Sequence, residues 1–247
     1  MDPGTHRGSP VPVLSERDRE AVRELLEPVR RETKILFFRS DGPGCRYCGV
    51  IEELLRELSS INPCVVFEVL DADGEEAREY GVERAPTILF ADRPNVRFLG
   101  APAGREFRTF LEAIVSVSTG RVDLDPAVAV RMSCVDVPVE LLVFFTPECP
   151  YCPAAVRTAV SFALLNKSVR AVAVEAEEFP DLTERYRVYA VPRVVVRDLR
   201  SGRVLAEWEG AVPPEVFADR ILGCSGSHVV ATEGGGRSDR SDPPLLL

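Results

Sequence analysis

The run Glu148-Cys149-Pro150-Tyr151-Cys152-Pro153 sets two cysteines three residues apart. On a helix that spacing is about one turn, close enough for the sulfurs to bond. The chemistry open to such a pair is thiol–disulfide exchange. A thiolate attacks a disulfide sulfur, and the neighbouring thiol then displaces the product. Gly44-Cys45-Arg46-Tyr47-Cys48-Gly49 repeats the arrangement. In each pair the first cysteine is read as the attacking sulfur and the second as the resolving one. Cys45 and Cys149 therefore attack, and Cys48 and Cys152 resolve. Two C-x-x-C pairs can also form a Cys₄ zinc site. Here the pairs lie far apart in sequence with no nearby histidine, so the redox reading is preferred and no metal is expected.

The flanking residues supply what the exchange needs. Ile35-Leu36-Phe37-Phe38 precedes the first pair and Leu141-Leu142-Val143-Phe144-Phe145 the second. Such short apolar runs read as strands buried on both faces. Amphipathic patterns follow each pair, over Gly49–Ser59 and Pro153–Asn166. Strand, turn, cysteine pair and helix place the first cysteine at the positive end of a helix dipole. There, unpaired backbone N–H groups stabilise a thiolate.

The rest of the chain is read around these two centres. A helix is expected over Glu16–Arg30, capped by Ser15, with Pro28 distorting its last turn. Further strands are expected over Cys64–Leu70, Ile88–Ala91 and Val96–Leu99. Asp73 is read as the cap of a short helix over Glu75–Tyr80, and Gly104–Val117 as a longer one. The second half follows the same order. It has a helix from Pro126 to Cys134 and strands at Leu141–Phe145, Val169–Val174, Val194–Arg197 and Val204–Trp208. Helices are expected at Pro153–Asn166, Pro180–Tyr186 and Pro214–Leu222.

The repeat extends to single residues. Glu79-Tyr80-Gly81-Val82-Glu83-Arg84-Ala85-Pro86 matches Arg185-Tyr186-Arg187-Val188-Tyr189-Ala190-Val191-Pro192. Phe98-Leu99-Gly100-Ala101 matches Trp208-Glu209-Gly210-Ala211, and Phe107 matches Phe217. This is an internal duplication. The expected organisation is an N-terminal arm over 1–14, units over 15–120 and 121–224, and a Gly/Ser/Asp/Pro-rich C-terminal tail over 225–247.

Composition narrows the class. The chain has 247 residues with 45% hydrophobic content, room for two cores of ordinary size. A net charge of −9 without a basic cluster speaks against a nucleic-acid surface. No apolar segment reaches the roughly 18 residues of a membrane span, and the first residues lack a signal-like apolar core. A cytoplasmic location is the expectation. Two lysines against many arginines, no glutamine and three asparagines lean towards a thermophilic source. Cys64, Cys134 and Cys224 read as buried thiols rather than catalysts, with a Cys134–Cys224 disulfide as the alternative.

Cys149-Pro150-Tyr151-Cys152 has the form of a glutaredoxin active site, and both halves look like thioredoxin folds. The whole resembles the two-unit protein disulfide oxidoreductases of hyperthermophiles, over about residues 15–224. The pieces that carry the likeness are the two cysteine pairs, Ala85-Pro86, Val191-Pro192 and Gly100-Ala101-Pro102-Ala103-Gly104. The resemblance implies an α/β fold of two tandem thioredoxin-like units, each a mixed central sheet flanked by helices. It implies that Pro86 and Pro192 follow cis bonds, with Ala85 and Val191 offering main-chain groups to an extended substrate. The implied activity is oxidation, reduction and isomerisation of disulfides in protein substrates, without a cofactor. The alternatives are an electron carrier between a thioredoxin-reductase-like flavoprotein and a peroxidase, and a peptide-binding holdase. Two departures stand out. Many thioredoxins carry a buried acid six residues before the first cysteine, where this chain has Arg39 and Val143. Glutathione-binding glutaredoxins carry a Gly-Gly pair where this chain has Glu209-Gly210-Ala211.

The residues between the cysteines differ in charge. Arg46 stabilises a Cys45 thiolate, whereas Glu148 opposes one at Cys149. A more stable thiolate favours the reduced form, so Arg46→Ala is expected to lower the first pair's redox potential. Solvent screening limits the change to a few tens of mV at about 30 mV per 1.4 kcal/mol. Equilibration of the single-site variant Cys149→Ser/Cys152→Ser against glutathione buffers, with and without Arg46→Ala, measures it. An unmoved potential would refute the electrostatic account.

Overall fold

The computed structural model describes residues 12–42 and 44–225. The first half runs α1 (Glu16–Leu25), β1 (Thr33–Arg39), α2 (Cys48–Ile61), β2 (Val65–Asp71), α3 (Glu75–Tyr80), β3 (Thr87–Phe90), β4 (Arg93–Leu99) and α4 (Arg105–Thr119). The second half repeats it as α5 (Pro126–Ser133), β5 (Val139–Phe145), α6 (Cys152–Leu165), β6 (Val169–Glu175), α7 (Pro180–Arg185), β7 (Arg193–Asp198), β8 (Val204–Glu209) and α8 (Pro214–Ser225).

Local chemistry accounts for most of the boundaries. Ser15 and Asp18 form a reciprocal capping box at the start of α1. That helix stops at Leu25 rather than Arg30, because Pro28 has no N–H for a further turn. Asp73 does not cap α3. The N-cap is Gly74, and the Asp71 carboxylate instead accepts the Asp73 N–H at 2.9 Å. Gly81 and Gly120 close α3 and α4 at φ of 59° and 71°, where a side chain would be strained.

Each half contributes four strands, in the orders β2-β1-β3-β4 and β6-β5-β7-β8. The two sets do not remain separate sheets. β4 pairs in parallel with β6, from Val96↔Ala171 to Leu99↔Val174, and produces one eight-stranded mixed sheet. Two edges that would otherwise expose unpaired backbone groups are thereby removed. β6 reflects this in composition. Its Val-Arg-Ala-Val-Ala-Val run is buried on both faces, whereas β2, its counterpart at the outer edge, is largely exposed on one.

The central strands alternate between two cores. Ile35 and Phe37 of β1, and Leu141, Val143 and Phe145 of β5, join one large cluster with α1, α2, α4, α5, α6 and α8. Leu36 and Phe38 pack on α3, while Leu142 and Phe144 pack on α7, in two smaller clusters on the opposite face. Each such side chain, fully buried, contributes about 1.5–3 kcal/mol. The large cluster draws on both halves and joins them together with the β4–β6 pairing.

The three asparagines all act as latches. Asn62 donates to the carbonyls of Leu26 and Val29, and Asn166 to those of Met132 and Val135. Both accept the N–H two residues on, so they occupy equivalent places after α2 and α6. Asn95, at the seam, donates to Ala163 and Val169 of the second half at 2.7 and 2.8 Å. Asn95→Ala leaves two carbonyls without a donor and is expected to cost about 1–3 kcal/mol in denaturant unfolding. A loss under about 0.5 kcal/mol would show that the latch contributes no more than an ordinary surface residue.

Candidate functional site

Both cysteine pairs sit where strand turns into helix. At the first, β1 ends at Arg39, the Cys45 N–H bonds to the Gly42 carbonyl at 3.1 Å, and α2 begins at Cys48. At the second, the Cys149 N–H bonds to the Thr146 carbonyl at 3.1 Å, and α6 begins at Cys152. Cys45–Cys48 and Cys149–Cys152 are closed as disulfides, with Cα–Cα separations of 5.2 and 5.5 Å. Backbone donors face the first sulfur of each pair. Ser40 N–H lies 3.3 Å from Cys45 Sγ, and Cys152 N–H lies 3.1 Å from Cys149 Sγ. These bonds and the helix dipole would stabilise a thiolate at either first position.

Exposure separates the two members of each pair. Cys48 and Cys152 are fully buried, and Cys149 is 6% exposed. Cys45 is only partly covered.

Ala85-Pro86 and Val191-Pro192 are both cis, as the resemblance implies. Their surroundings repeat: Gly100 N–H bonds to the Pro86 carbonyl and Gly210 N–H to the Pro192 carbonyl. The Ala85 carbonyl lies 4.0 Å from where a Cβ on Gly44 would sit, so this loop flanks the first cysteine turn. Val191 packs against the cluster that includes Cys149 and Cys152. Cys64, Cys134 and Cys224 are free. Against expectation, Cys134, the C-cap of α5, is exposed, and Cys64 and Cys224 are only partly buried. Burial raises the Cys224 thiol above its ordinary value. Among the described residues no cluster suited to a metal occurs. No helix among them is long and apolar enough to cross a membrane.

Residues 139–223 match the thioredoxin domain family. The solved structure of a protein disulfide oxidoreductase from Aeropyrum pernix K1 superposes with a TM-score of 0.75 at 28% identity. The match covers 86% of this chain and 94% of that one. The second half thus carries the thioredoxin domain, and the whole chain has the two-unit thioredoxin-like fold of that oxidoreductase. The alkyl hydroperoxide reductase AhpF of Enterococcus faecalis shares the fold, with a TM-score of 0.73 at 20% identity over 84% of this chain and 99% of that one. The corresponding reductase component of Pseudomonas putida is 26% identical over 175 residues, 70% of this chain. This chain spans about a third of the length of that curated relative, 32% of it being matched.

The two thioredoxin units are built alike but sit differently. The Gly100–Gly104 strap, which follows β4, lies on the second cysteine loop. Arg105 N–H donates to the Pro147 carbonyl at 2.9 Å, two residues before Cys149. Gly104, at φ 58°, has no room for a side chain, since a Cβ would stand 2.4 Å from the Pro147 oxygen. Ala101 N–H donates to Glu178 at 2.6 Å. Between the two cysteine turns a cleft of about 1010 Å³ opens, lined by Arg46, Tyr47, Ala85, Pro147, Glu175 and Glu178 among others.

The acid that thioredoxins often bury below the first cysteine is absent. Arg39 pairs with Glu52 at 3.1 Å, and Val143 is core. Two other carboxyls are buried near the second site, and sequence reading missed both. Glu106, in the first turn of α4, is fully buried, with no hydrogen-bond partner for either oxygen among the described residues. Burial pushes it up to about 7, against the pull of the Thr109 hydroxyl and the Arg157 charge. In the sequence it reads as an ordinary first-turn acid. Glu175 ends β6, where β2 ends in Asp71; that parallel was the available signal. It accepts the Glu178 N–H at 2.7 Å, and burial raises it also to about 7.

The sign of the pH effect follows. Each carboxyl keeps its proton to about 7 when folded but loses it near 4.5 when unfolded, so the folded chain binds more protons between those values. Stability is then greatest below pH 4.5 as far as these two groups decide it. It falls towards pH 7, by at most about 1.4 kcal/mol per pH unit for each. Denaturant unfolding across that range should show Glu106→Gln and Glu175→Gln each flattening the fall. A slope unchanged in both variants would mean neither carboxyl is protonated in the fold.

Proposed function

We propose that this chain is a protein dithiol–disulfide oxidoreductase working through both C-x-x-C pairs. The observation that carries the reading is the pair of disulfides, each at a helix start and each with a cis-proline loop of the same unit. The likeness to a protein disulfide oxidoreductase over most of both chains supports it. Residues 15–120 and 121–224 are taken as the two units, divided at Gly120, and the setting as cytoplasmic.

In the reductive direction a Cys45 or Cys149 thiolate attacks one sulfur of a substrate disulfide. The substrate S–S bond breaks, a mixed disulfide forms, and the departing substrate sulfur takes a proton. Cys48 or Cys152 then loses its proton and attacks the first cysteine, breaking the mixed disulfide. The enzyme pair ends oxidised and the substrate reduced by two electrons. The reverse sequence oxidises a substrate dithiol. Ala85 and Val191, beside Pro86 and Pro192, present backbone groups to the extended substrate segment. Glu106 is the proton acceptor for the second site. It is buried, burial raises it to about 7, and its helix packs on α6, which begins at Cys152.

A second reading has its own support. The similarity to alkyl hydroperoxide reductase favours an electron carrier between a thioredoxin-reductase-like flavoprotein and a peroxidase. Insulin reduction by dithiothreitol decides first whether thiol catalysis exists. It should be accelerated by the protein, and lost when all four active cysteines are replaced by serine; unchanged rates would leave only a holdase. Cys48→Ala and Cys152→Ala should accumulate mixed disulfides with substrate. Trapping through Cys48 or Cys152 in the Cys45→Ala and Cys149→Ala variants would reverse the roles. Glu106→Gln should remove the limb near pH 7 from the second site's pH–rate profile. Faster turnover with a flavoprotein reductase than with dithiothreitol would favour the carrier role.

A further inference from the structure

The face of the sheet opposite the large core is covered by α3 over the first half and by α7 over the second. A recess opens at the seam between them, with Leu182 and Arg185 of α7 in its lining. Arg97 of β4, Arg170 of β6 and Arg197 of β7 line it too, and its rim carries Arg84 and Arg185. Its inner space is about 90 Å³. One water needs roughly 10–15 Å³ on such a measure, so the recess holds several waters or one phosphate-sized group.

Charge in this recess is not balanced by the protein. Glu140 is buried and accepts from both Arg170 and Arg197, one carboxylate for two guanidiniums. Asp181 pairs with Arg84 at 2.6 Å. Arg97 is itself 6% exposed and bonds only to the carbonyls of Pro94, Gly81 and Tyr80. Among the described residues neither Arg97 nor Arg185 forms an ion pair; Arg185 lies over the Tyr186 ring. Glu83 is the other acid of the lining. A buried guanidinium without a direct ion-pair partner is costly, and a chain of net charge −9 had acidic residues to spare. Burial first and then the neighbouring Arg170 charge lower Arg97 to about 10, against the opposing pull of Glu140 and Glu83.

We propose that this recess binds a phosphate-class oxyanion, either free phosphate or the phosphoryl group of a nucleotide. Guanidinium forks match the oxygens of a tetrahedral anion in pairs, and the spare N–H groups of Arg97 and Arg170 are the donors for it. Arg97 comes from the first unit and Arg170 from the second, so the anion would bridge the two across the seam. The site is separate from the cysteine pairs, and its test does not depend on the redox reading.

Calorimetric titration of the full chain with inorganic phosphate and with adenosine diphosphate, at constant ionic strength set by sodium chloride, tests it. Saturable binding of at least one is expected, with Arg170→Gln and Arg185→Gln each weakening it about tenfold or more. Tighter binding of the nucleotide identifies a phosphoryl group on a larger ligand; equal or weaker binding identifies free phosphate. Both variants should keep the wild-type far-ultraviolet circular dichroism spectrum and a cooperative unfolding transition, which shows that they are folded. Binding of both ligands weaker than about 1 mM by the unaltered protein, or affinities unchanged in both variants, would overturn the proposal.

Discussion

The parallel pairing of β4 with β6 is the contact on which the rest of the molecule depends. A thioredoxin unit ends its sheet on one side with an edge strand whose backbone groups need a partner. Here the last strand of the first unit meets the second strand of the next, and four residue pairs join them. The pairing is head-to-tail, so the two units are not related by a symmetric interface. It fixes what lies against what: α4 of the first unit packs along α6 of the second, and Asn95 reaches Ala163 and Val169.

Head-to-tail joining makes two copies of one site unequal. The second cysteine loop has a preceding unit to lean on. The Gly100–Gly104 strap fills that role and holds Pro147 through the Arg105 N–H. Among the described residues the first loop carries no counterpart of this strap, and Cys45 is less covered than Cys149. In the corresponding segment of the second unit, a Cβ on Gly210 would meet nothing within 4 Å among the described residues. The same asymmetry explains the buried carboxyl. Glu106 aligns with Val216, yet Glu106 is covered by the neighbouring unit while Val216 is only half-buried.

Much of this was legible in the sequence because it is local or periodic. Paired cysteines after an apolar run, alternation in β1 and β5, and the repeated Gly-Ala after β4 and β8 each need only a few neighbouring residues to be read. The cis bonds before Pro86 and Pro192 came from the resemblance, and the structure has both. What escaped depends on residues distant in sequence. Nothing in Val96–Leu99 announces that its free side will take Val169–Glu175, although the exclusively small or β-branched Ala171-Val172-Ala173-Val174 run is what a strand buried on both faces needs. Aspartate is a good helix cap, so Asp73 reads as one; Asp71 holds the turn instead, and Gly74 occupies the capping position. The scarcity of asparagine reads as a sign of habitat. Each of the three in fact ties the end or edge of one element to the carbonyls of another.

The loss of the usual buried acid below the cysteines follows from the same geometry. In β1 the position is Arg39, turned to Glu52 at the surface. In β5 it is Val143, packed in the large core. A thiol exchange still needs somewhere for the resolving proton to go. In the mechanism we propose, Glu106 from the neighbouring unit would meet that need without placing a charge in the middle of β5. An acid in that role must be desolvated enough to hold a proton near neutrality, and Glu106 is, because α4 of one unit closes on α6 of the other. Joining the sheets therefore does more than remove an edge. It creates the low-dielectric surroundings in which burial raises an ordinary first-turn glutamate to about 7.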